Sequence, residues 1–191
     1  MQKNKTALIS ESQRLMFETY ADALIEWNKK INLTRIIERS NIWERHFYDS
    51  LTLMPHLPKG EFTLLDLGSG AGFPGAPIKI MRKDAYVTFL DARKKKLNFI
   101  AYIMQTLNLN GWEICHERAE NFKGTYDVVT ARSVARLDKL IKLALPLVKR
   151  GGVFLAMKGA DAKEEAEFAK QKPQVIINSG ILDHTIIKYE K

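Results

Sequence analysis

Apolar and polar residues follow one rhythm in the N-terminal third of the chain and another after it. In the first third, apolar side chains recur at helical spacing, and Ser10 with Gln13 forms a capping-box signal for a helix start. A second helix is predicted over about 38–54, before two prolines. We therefore expect a helical cap over 1–60, followed by one core unit over 61–191.

In the core, short apolar runs alternate with helical patterns. The predicted strands cover residues 62–67, 86–90, 112–116, 126–130 and 152–157, with two final candidates at 174–178 and 183–189. The predicted helices cover residues 76–82, 94–107, 137–149 and 162–170. Alternation of this kind predicts an α/β fold with a doubly wound, mostly parallel sheet.

The first of these strands ends in a turn that contains Gly68, Gly70, Gly72 and Gly75. Glycine allows a positive φ and lets the backbone approach a ligand closely. Asp91 ends the next predicted strand, 23 residues after Gly68. An acidic residue about 20 residues after such a turn reaches ribose hydroxyls in nucleotide-binding folds. Turn and acid together predict a site for a nucleoside cofactor.

The spacing of the glycines bears on which cofactor this is. Counted from Gly68, the dinucleotide pattern needs a small residue at position 73, where Phe73 stands, and Pro74 offers no N–H to a pyrophosphate. A nicotinamide-dependent oxidoreductase is therefore disfavoured. The turn fits Gly-x-Gly-x-Gly preceded by Asp-Leu, which resembles the turn of S-adenosylmethionine-dependent methyltransferases.

Composition is that of a globular domain, with 191 residues, 46% hydrophobic and 27% charged. The N-terminus resembles no signal peptide, and no apolar stretch approaches the roughly 20 residues of a membrane span. We expect a cytoplasmic protein with no membrane association. The single cysteine, Cys115, can form neither an internal disulfide nor a zinc cluster, so we expect a core residue and no metal site.

The positive charge of the chain, +8 in total, is concentrated in two blocks. Residues 79–100 carry a net charge of +5, and residues 132–158 carry +6. Ligands of open α/β sheets bind at the carboxyl ends of the strands, where we expect part of this charge. A polyanionic substrate would suit it, and solvated lysine faces are the alternative.

Four motifs carry a resemblance that covers nearly the whole chain. They are WNKKINLT (27–34), RHFYDSL (45–51), DLGSGAGFPG (66–75) and TARSVARLDKL (130–140). The chain resembles the bacterial 16S ribosomal RNA guanine-N7 methyltransferases, formerly called glucose-inhibited division protein B. The region after Gly159 matches this pattern least, and Arg93 stands where the family usually has a small or acidic residue.

The resemblance implies a Rossmann-like class I methyltransferase fold with S-adenosylmethionine as cofactor. It also implies methylation at N7 of the guanine at position 527 of 16S rRNA, with the rRNA or the small ribosomal subunit as partner. We take a monomer as the default. The cofactor contacts implied by the family are Gly68, Phe73, Ala119, Glu120 and Arg132; the turn and the strand end add Gly70 and Asp91.

Guanine N7 has a lone pair and no proton to lose, so the reaction needs orientation rather than a general base. We therefore expect no single catalytic residue. Arg132, Ser133 and Arg136 are candidates for positioning the phosphate and the guanine edge. His46, on the second predicted helix, is a candidate for touching RNA at the junction of cap and core, or else a structural residue.

The chain lacks two features of other base methyltransferases. Methylation at pyrimidine C5 needs a cysteine nucleophile in a loop, whereas Cys115 falls in a predicted strand. Methylation of an exocyclic amine goes with an Asn/Asp-Pro-Pro-aromatic turn, which is absent after the fourth strand. Methyltransferases of small molecules, proteins or other RNAs remain alternatives, as does a non-catalytic RNA-binding module, although the intact turn and Asp91 argue against the last.

Overall fold

The computed structural model describes residues 9–169, 172–178 and 184–191. Within these ranges seven strands form one sheet, in the order β3-β2-β1-β4-β5-β7-β6. The strands are β1 (Phe62–Leu67), β2 (Ala85–Leu90), β3 (Trp112–Cys115), β4 (Tyr126–Arg132), β5 (Val148–Lys158), β6 (Val175–Asn178) and β7 (Thr185–Glu190). The first five pair in parallel, and β7 is antiparallel to both β5 and β6.

The helices pack against both faces of this sheet. They are α1 (Glu11–Asn28), α2 (Arg39–Ile42), α3 (Asp49–Leu51), α4 (Gly75–Met81), α5 (Lys94–Thr106), α6 (Leu137–Ala144) and α7 (Ala162–Phe168). A π-helical segment, Trp43–Tyr48, joins α2 to α3, and short 3₁₀ turns cover Met54–His56 and Leu145–Leu147. The capping box predicted at Ser10 and Gln13 is present at the start of α1.

The sheet is apolar on both faces because successive side chains of a strand point to opposite sides. Leu64 of β1 packs in a cluster with the cap helices, α4 and α5, whereas the next residue, Leu65, packs in a cluster with α6 and α7. Helices on both faces of a largely parallel sheet are the doubly wound α/β arrangement predicted from the sequence. Trp27 and Trp43 are partly buried and pack against the first of these clusters.

The predicted helix over 137–149 is too long. The α-helix ends at Ala144, because Pro146 in the following 3₁₀ turn cannot continue the i→i−4 bonding. Strand β5 then begins at Val148, four residues before the predicted start, and passes through a glycine pair with a register shift against β4. The predicted end of the last helix at 170 and the predicted start of the last strand at 183 lie outside the described residues.

Candidate functional site

A cleft of about 1080 Å³ opens at the carboxyl ends of the parallel strands. Its walls come from the glycine turn after β1, the ends of β2 and β4, the segment after β3, and the cap. Nine of the candidates from the sequence line it: His46, Gly68, Gly70, Phe73, Asp91, Ala119, Glu120, Arg132 and Ser133. The fold therefore brings together residues that are up to 87 positions apart in the chain.

The glycine turn has the left-handed backbone expected from its sequence. Gly68 has φ +69° and Gly70 has φ +58°. A Cβ on Gly68 would lie 2.7 Å from a methyl group of Val134, so this position requires glycine for space as well as for backbone conformation. The amides of Gly68 and Ser69 donate to the carbonyl of Leu90, at 2.8 and 3.0 Å, which ties the turn to the end of β2.

Asp91 closes the turn from the next strand. Its carboxylate accepts hydrogen bonds from the amide of Gly70 (2.9 Å, Oδ2) and from the amide of Arg93 (2.8 Å, Oδ1). A carboxylate offers about four acceptor sites, so two remain for a ligand in the cleft. This arrangement suits a group with paired hydroxyls.

Beneath the turn, Asp66 is fully buried and accepts a hydrogen bond from the amide of Gly75 (3.0 Å, Oδ2). Burial raises the pKa of Asp66 to about 7, although that hydrogen bond and the charge on Arg132 favour the ionised carboxylate and oppose the rise. Gly75 has a packing role, since a Cβ there would lie 2.7 Å from the ring of Phe89.

Arg132, at the end of β4, is held by the cap. Its Nη1 donates to Asp49 Oδ2 at 3.0 Å and to the carbonyl of Arg45 at 2.9 Å, and its Nη2 donates to His46 Nδ1 at 2.9 Å. The side chain is 12% exposed, and Asp49 is fully buried. Arg132 is thus no surface arginine: it makes a buried ion pair between core and cap that still borders the cleft.

A regular α-helix would have placed Arg45 beside Asp49 at i, i+4 spacing. The π-helical segment widens the turn at this point, and Asp49 instead accepts from Arg132 and, at 2.7 Å, from His184 Nδ1. His184 immediately precedes β7. One buried carboxylate therefore links the cap to the end of β4 and to the residue before β7.

His46 is neutral. Its ring stacks on Phe73 at a centroid distance of 4.3 Å, and burial together with the charge on Arg132 lowers its pKa to about 3. Because Nδ1 accepts from Arg132, the proton lies on Nε2, which donates to Thr34 Oγ1 at 2.9 Å. Both ring nitrogens are engaged, which favours the structural interpretation of this residue.

The residues after β4 lie in two different places. Ser133 has φ +56° and lines the cleft, whereas Arg136 lies outside the cleft lining. Arg136 immediately precedes α6, is 67% exposed, and lies 3.7 Å from the carboxylate of Asp138. The structure thus separates Arg136 from the two residues with which the sequence grouped it, because the chain turns into α6 there.

Several cleft residues were not predicted from the sequence. Thr34, Arg35, Arg45, Lys96, Arg118 and His184 all border it. Thr34 and Arg45 belong to the two family-specific motifs of the cap, which was the available signal, whereas nothing marks His184. Cys115 is the last residue of β3, so it falls in a strand as predicted, but it is half-buried rather than fully in the core. It does not line the cleft.

The described part of the chain contains neither a metal-binding cluster nor a helix that could span a membrane. No group of three or more histidine, cysteine or acidic side chains lies close enough together there to hold a metal ion. None of the helices described combines the length and the hydropathy needed to cross a bilayer.

Comparison with known proteins identifies the family. The family model described as rRNA small subunit methyltransferase G matches residues 13–185, which includes most of the C-terminal region after Gly159. Ribosomal RNA small subunit methyltransferase G of Bacillus cereus is 43% identical over 183 residues, covering 92% of this chain and 77% of that protein. The protein of that name from Bacillus thuringiensis matches with the same identity and coverage.

Solved structures support the fold. A SAM-dependent methyltransferase from Aquifex aeolicus matches with a TM-score of 0.61 at 14% identity, over 86% of this chain and 96% of that one. A ribosomal protein L11 methylase from Lactobacillus delbrueckii subsp. bulgaricus matches with a TM-score of 0.59 at 12% identity, over 74% and 75%. The sheet and these neighbours show a Rossmann-like class I methyltransferase fold, and the chain belongs to the rRNA small subunit methyltransferase G family.

Proposed function

We propose that this protein transfers a methyl group from S-adenosylmethionine to N7 of a guanine in 16S rRNA, at position 527. The observation that carries the proposal is the cleft, in which the glycine turn, Asp91 and the buried Arg132 face one space, in a chain of this family. Such a protein would act in the cytoplasm, where the rRNA is, and we propose that it acts as a monomer.

The residues of the cleft fit the cofactor. The open acceptor sites of Asp91 suit ribose hydroxyls, and the uncrowded backbone at Gly70, beside Gly68, suits the methionine part. Ala119 and Glu120, past the end of β3, are the candidates beside the adenine. When bound, the cofactor supplies an electrophilic methyl group.

The side chains of this site orient groups and need not move a proton, since N7 attacks through its own lone pair. Holding two reactants in line supplies about 7–11 kcal/mol of the barrier lowering. His46 is not a general base, because its pKa is lowered to about 3 and both its nitrogens are occupied.

Arg132 is the candidate for orienting a ligand. Its hydrogen bonds to the cap use Nη1 and Nη2, so among the described residues its Nε–H has no partner. A guanidinium fixed in this way contacts an acceptor such as guanine O6, or the carboxylate of the cofactor, without covering N7. Ser133 lies beside it in the cleft, and the exposed Arg136 would contact RNA only from outside.

Transfer of a tritiated methyl group from S-adenosylmethionine tests the proposal. The substrates are small ribosomal subunits that lack the modification and, in parallel, protein-free 16S rRNA. We expect incorporation at one guanine, located by the chemical cleavage that 7-methylguanosine permits. Tight binding of S-adenosylhomocysteine without incorporation into either substrate would support S-adenosylmethionine as the cofactor but refute 16S rRNA as the substrate.

A methyltransferase of another RNA or of a small molecule is the alternative. The charge of the cleft favours a polyanion, because Arg35, Arg45, Arg93, Lys96 and Arg118 border it beside Arg132. Incorporation into a different RNA in the same assay, and none into 16S rRNA, would favour the alternative.

A further inference from the structure

The cleft carries more positive charge than its cofactor requires. Six arginine and lysine side chains of the described residues line it, against the carboxylates of Asp91, Glu117 and Glu120. S-adenosylmethionine is itself a net cation, because its sulfonium and ammonium groups outnumber its single carboxylate. The excess charge therefore suits a second, anionic occupant.

Most of these cations are unpaired. Arg132 is bound to Asp49, but among the described residues Arg35, Arg45, Arg93, Lys96 and Arg118 make no ion pair with a carboxylate. Some cations elsewhere in the two basic blocks are paired, such as Arg82 with Asp84 and Lys158 with Glu165.

A second groove, of about 340 Å³, lies next to the cleft. Ile31 and Asn32 of the cap form one side, and residues 93–96 at the beginning of α5 form the other. Arg93 and Lys96 line both the groove and the cleft, so the two spaces adjoin at these residues. The groove thus leads away from the cofactor site between cap and core.

The four basic residues 93–96 have a cost in the free protein. Adjacent like charges repel each other, and cations are unfavourable at the positive end of a helix. The first turn of α5 contains no acidic residue, and Lys94 and Lys95 are exposed with no carboxylate partner in the described ranges. An anion lying along the groove would offset this repulsion.

Two other basic residues of the blocks lie far from the cleft. Lys79 donates to the carbonyl of Ala85 at the start of β2, and Lys149 donates to Asp127 near the start of β4. These cations are at the amino ends of the strands, on the edge of the sheet opposite the cleft. Only part of the charge of the two blocks therefore surrounds the cofactor site, and the groove over α5 is where unpaired charge adjoins the cleft.

We propose that the RNA strand next to the target nucleotide leaves the cleft through this groove, with its phosphates on Arg93, Lys94, Lys95 and Lys96. The inference rests on the proposed function and names the path of the substrate. The strand would be single-stranded here, since the target base must enter the cleft unpaired. Asn32 on the opposite wall supplies an uncharged polar contact.

A pair of matched double variants tests this path. Lys94→Ala/Lys95→Ala removes two charges from the groove, and Lys139→Ala/Lys142→Ala removes two exposed charges from α6, which flanks the other face of the sheet. Binding of protein-free 16S rRNA is measured over a range of salt concentrations, together with the KM for whichever rRNA substrate the wild type methylates. Affinity for S-adenosylhomocysteine serves as the check that the cofactor site is intact.

We expect the α5 variant to have a higher KM for RNA. We also expect the plot of log binding constant against log salt concentration to become less steep by about 1.4, since each single-strand phosphate that is no longer neutralised reduces the steepness by about 0.7. We expect the α6 variant to match the wild type in both, and both variants to bind S-adenosylhomocysteine normally. Equal slopes and KM values for the two variants would overturn the path.

Two further outcomes keep the path and the function apart. A wild type that methylates neither rRNA substrate would refute the proposed function, and this path with it. An α5 variant that binds and methylates rRNA normally but loses affinity for an acidic protein would assign the groove to that partner instead, and would leave the proposed function standing.

Discussion

Asp49 holds two residues that border the cleft, Arg132 and His184, although it does not line the cleft itself. It is fully buried and carries the ion pair to Arg132. Removing one partner of a buried ion pair leaves an uncompensated charge and costs about 3–5 kcal/mol. We therefore expect Asp49→Asn to lower the free energy of unfolding by about that amount, and to lower methyl transfer because Arg132 loses the charged one of its three partners in the cap.

The same substitution in an exposed ion pair is the control. Asp22 pairs with Arg39 at the surface of α1, and exposed pairs contribute about 0–1 kcal/mol. Urea unfolding of both variants and of the wild type gives the comparison. If Asp49→Asn costs no more than Asp22→Asn, the buried pair is not what holds the cap to the core.

Sequence reasoning reached some of these residues and missed others for a physical reason. Gly68 and Asp91 were predicted because a turn and a strand end leave local signals of composition and spacing. The bonds of Asp49 to Arg132 and His184 join residues 83 and 135 positions apart, and no local pattern records such a pairing. The sequence alone could not decide whether His46 contacts RNA or has a structural role, because that depends on the neighbours of its ring in the fold.

Helix α1 braces the glycine turn from the cap side. The hydroxyl of Tyr20 donates to the carbonyl of Ala71 at 2.5 Å, and both residues are buried. Tyr20→Phe would leave that carbonyl without its donor, at a cost of about 1–3 kcal/mol. Because Ala71 lies in the cofactor turn, we expect a loss of affinity for S-adenosylhomocysteine as well as of stability.

Tyr102→Phe on α5 removes a hydroxyl from an exposed tyrosine and serves as the matched control. Calorimetric titration with S-adenosylhomocysteine and urea unfolding are measured on both variants. A Tyr20→Phe variant that loses stability but binds the ligand as tightly as Tyr102→Phe would confine α1 to a stabilising role.

The elements of the core follow the sequence closely, and those of the cap do so less well. Strand β1 has the predicted bounds, because a buried parallel strand reads as a continuous apolar run bounded by glycine. The predicted helix over 38–54 is instead α2, a π-helical segment and α3. Phe47 and Asp49 make long-range contacts from this region, and helical periodicity alone does not reveal a π segment.

At the scale of the whole molecule, two buried groups act on stability in opposite directions as the pH changes. The pKa of His46 is lowered to about 3 in the fold, so the unfolded chain binds the extra proton and stability rises with pH up to about 6.5. The pKa of Asp66 is raised to about 7, so the folded protein holds the extra proton and stability falls as pH rises from about 4 to 7. The two effects partly cancel between about pH 4 and 6.5.

Substitution separates the two effects. In Asp66→Asn the side chain still accepts from Gly75 but no longer titrates, so the variant escapes the loss that the wild type suffers as pH rises. We expect its free energy of unfolding, relative to the wild type, to increase by on the order of 4 kcal/mol between pH 4 and 7. Urea unfolding at intervals of pH across that range measures the difference.

His46→Gln supplies the test of opposite sign. Glutamine can still accept from Arg132 and donate to Thr34, but it does not gain a proton on unfolding. Its stability relative to the wild type should therefore increase as pH falls below about 6.5, whatever its value at neutral pH. If the differences in unfolding free energy for the two variants change with pH in opposite directions, Asp66 and His46 are both uncharged in the fold near pH 6. A difference for Asp66→Asn that does not change with pH would show that this carboxyl ionises in the fold at its ordinary pKa.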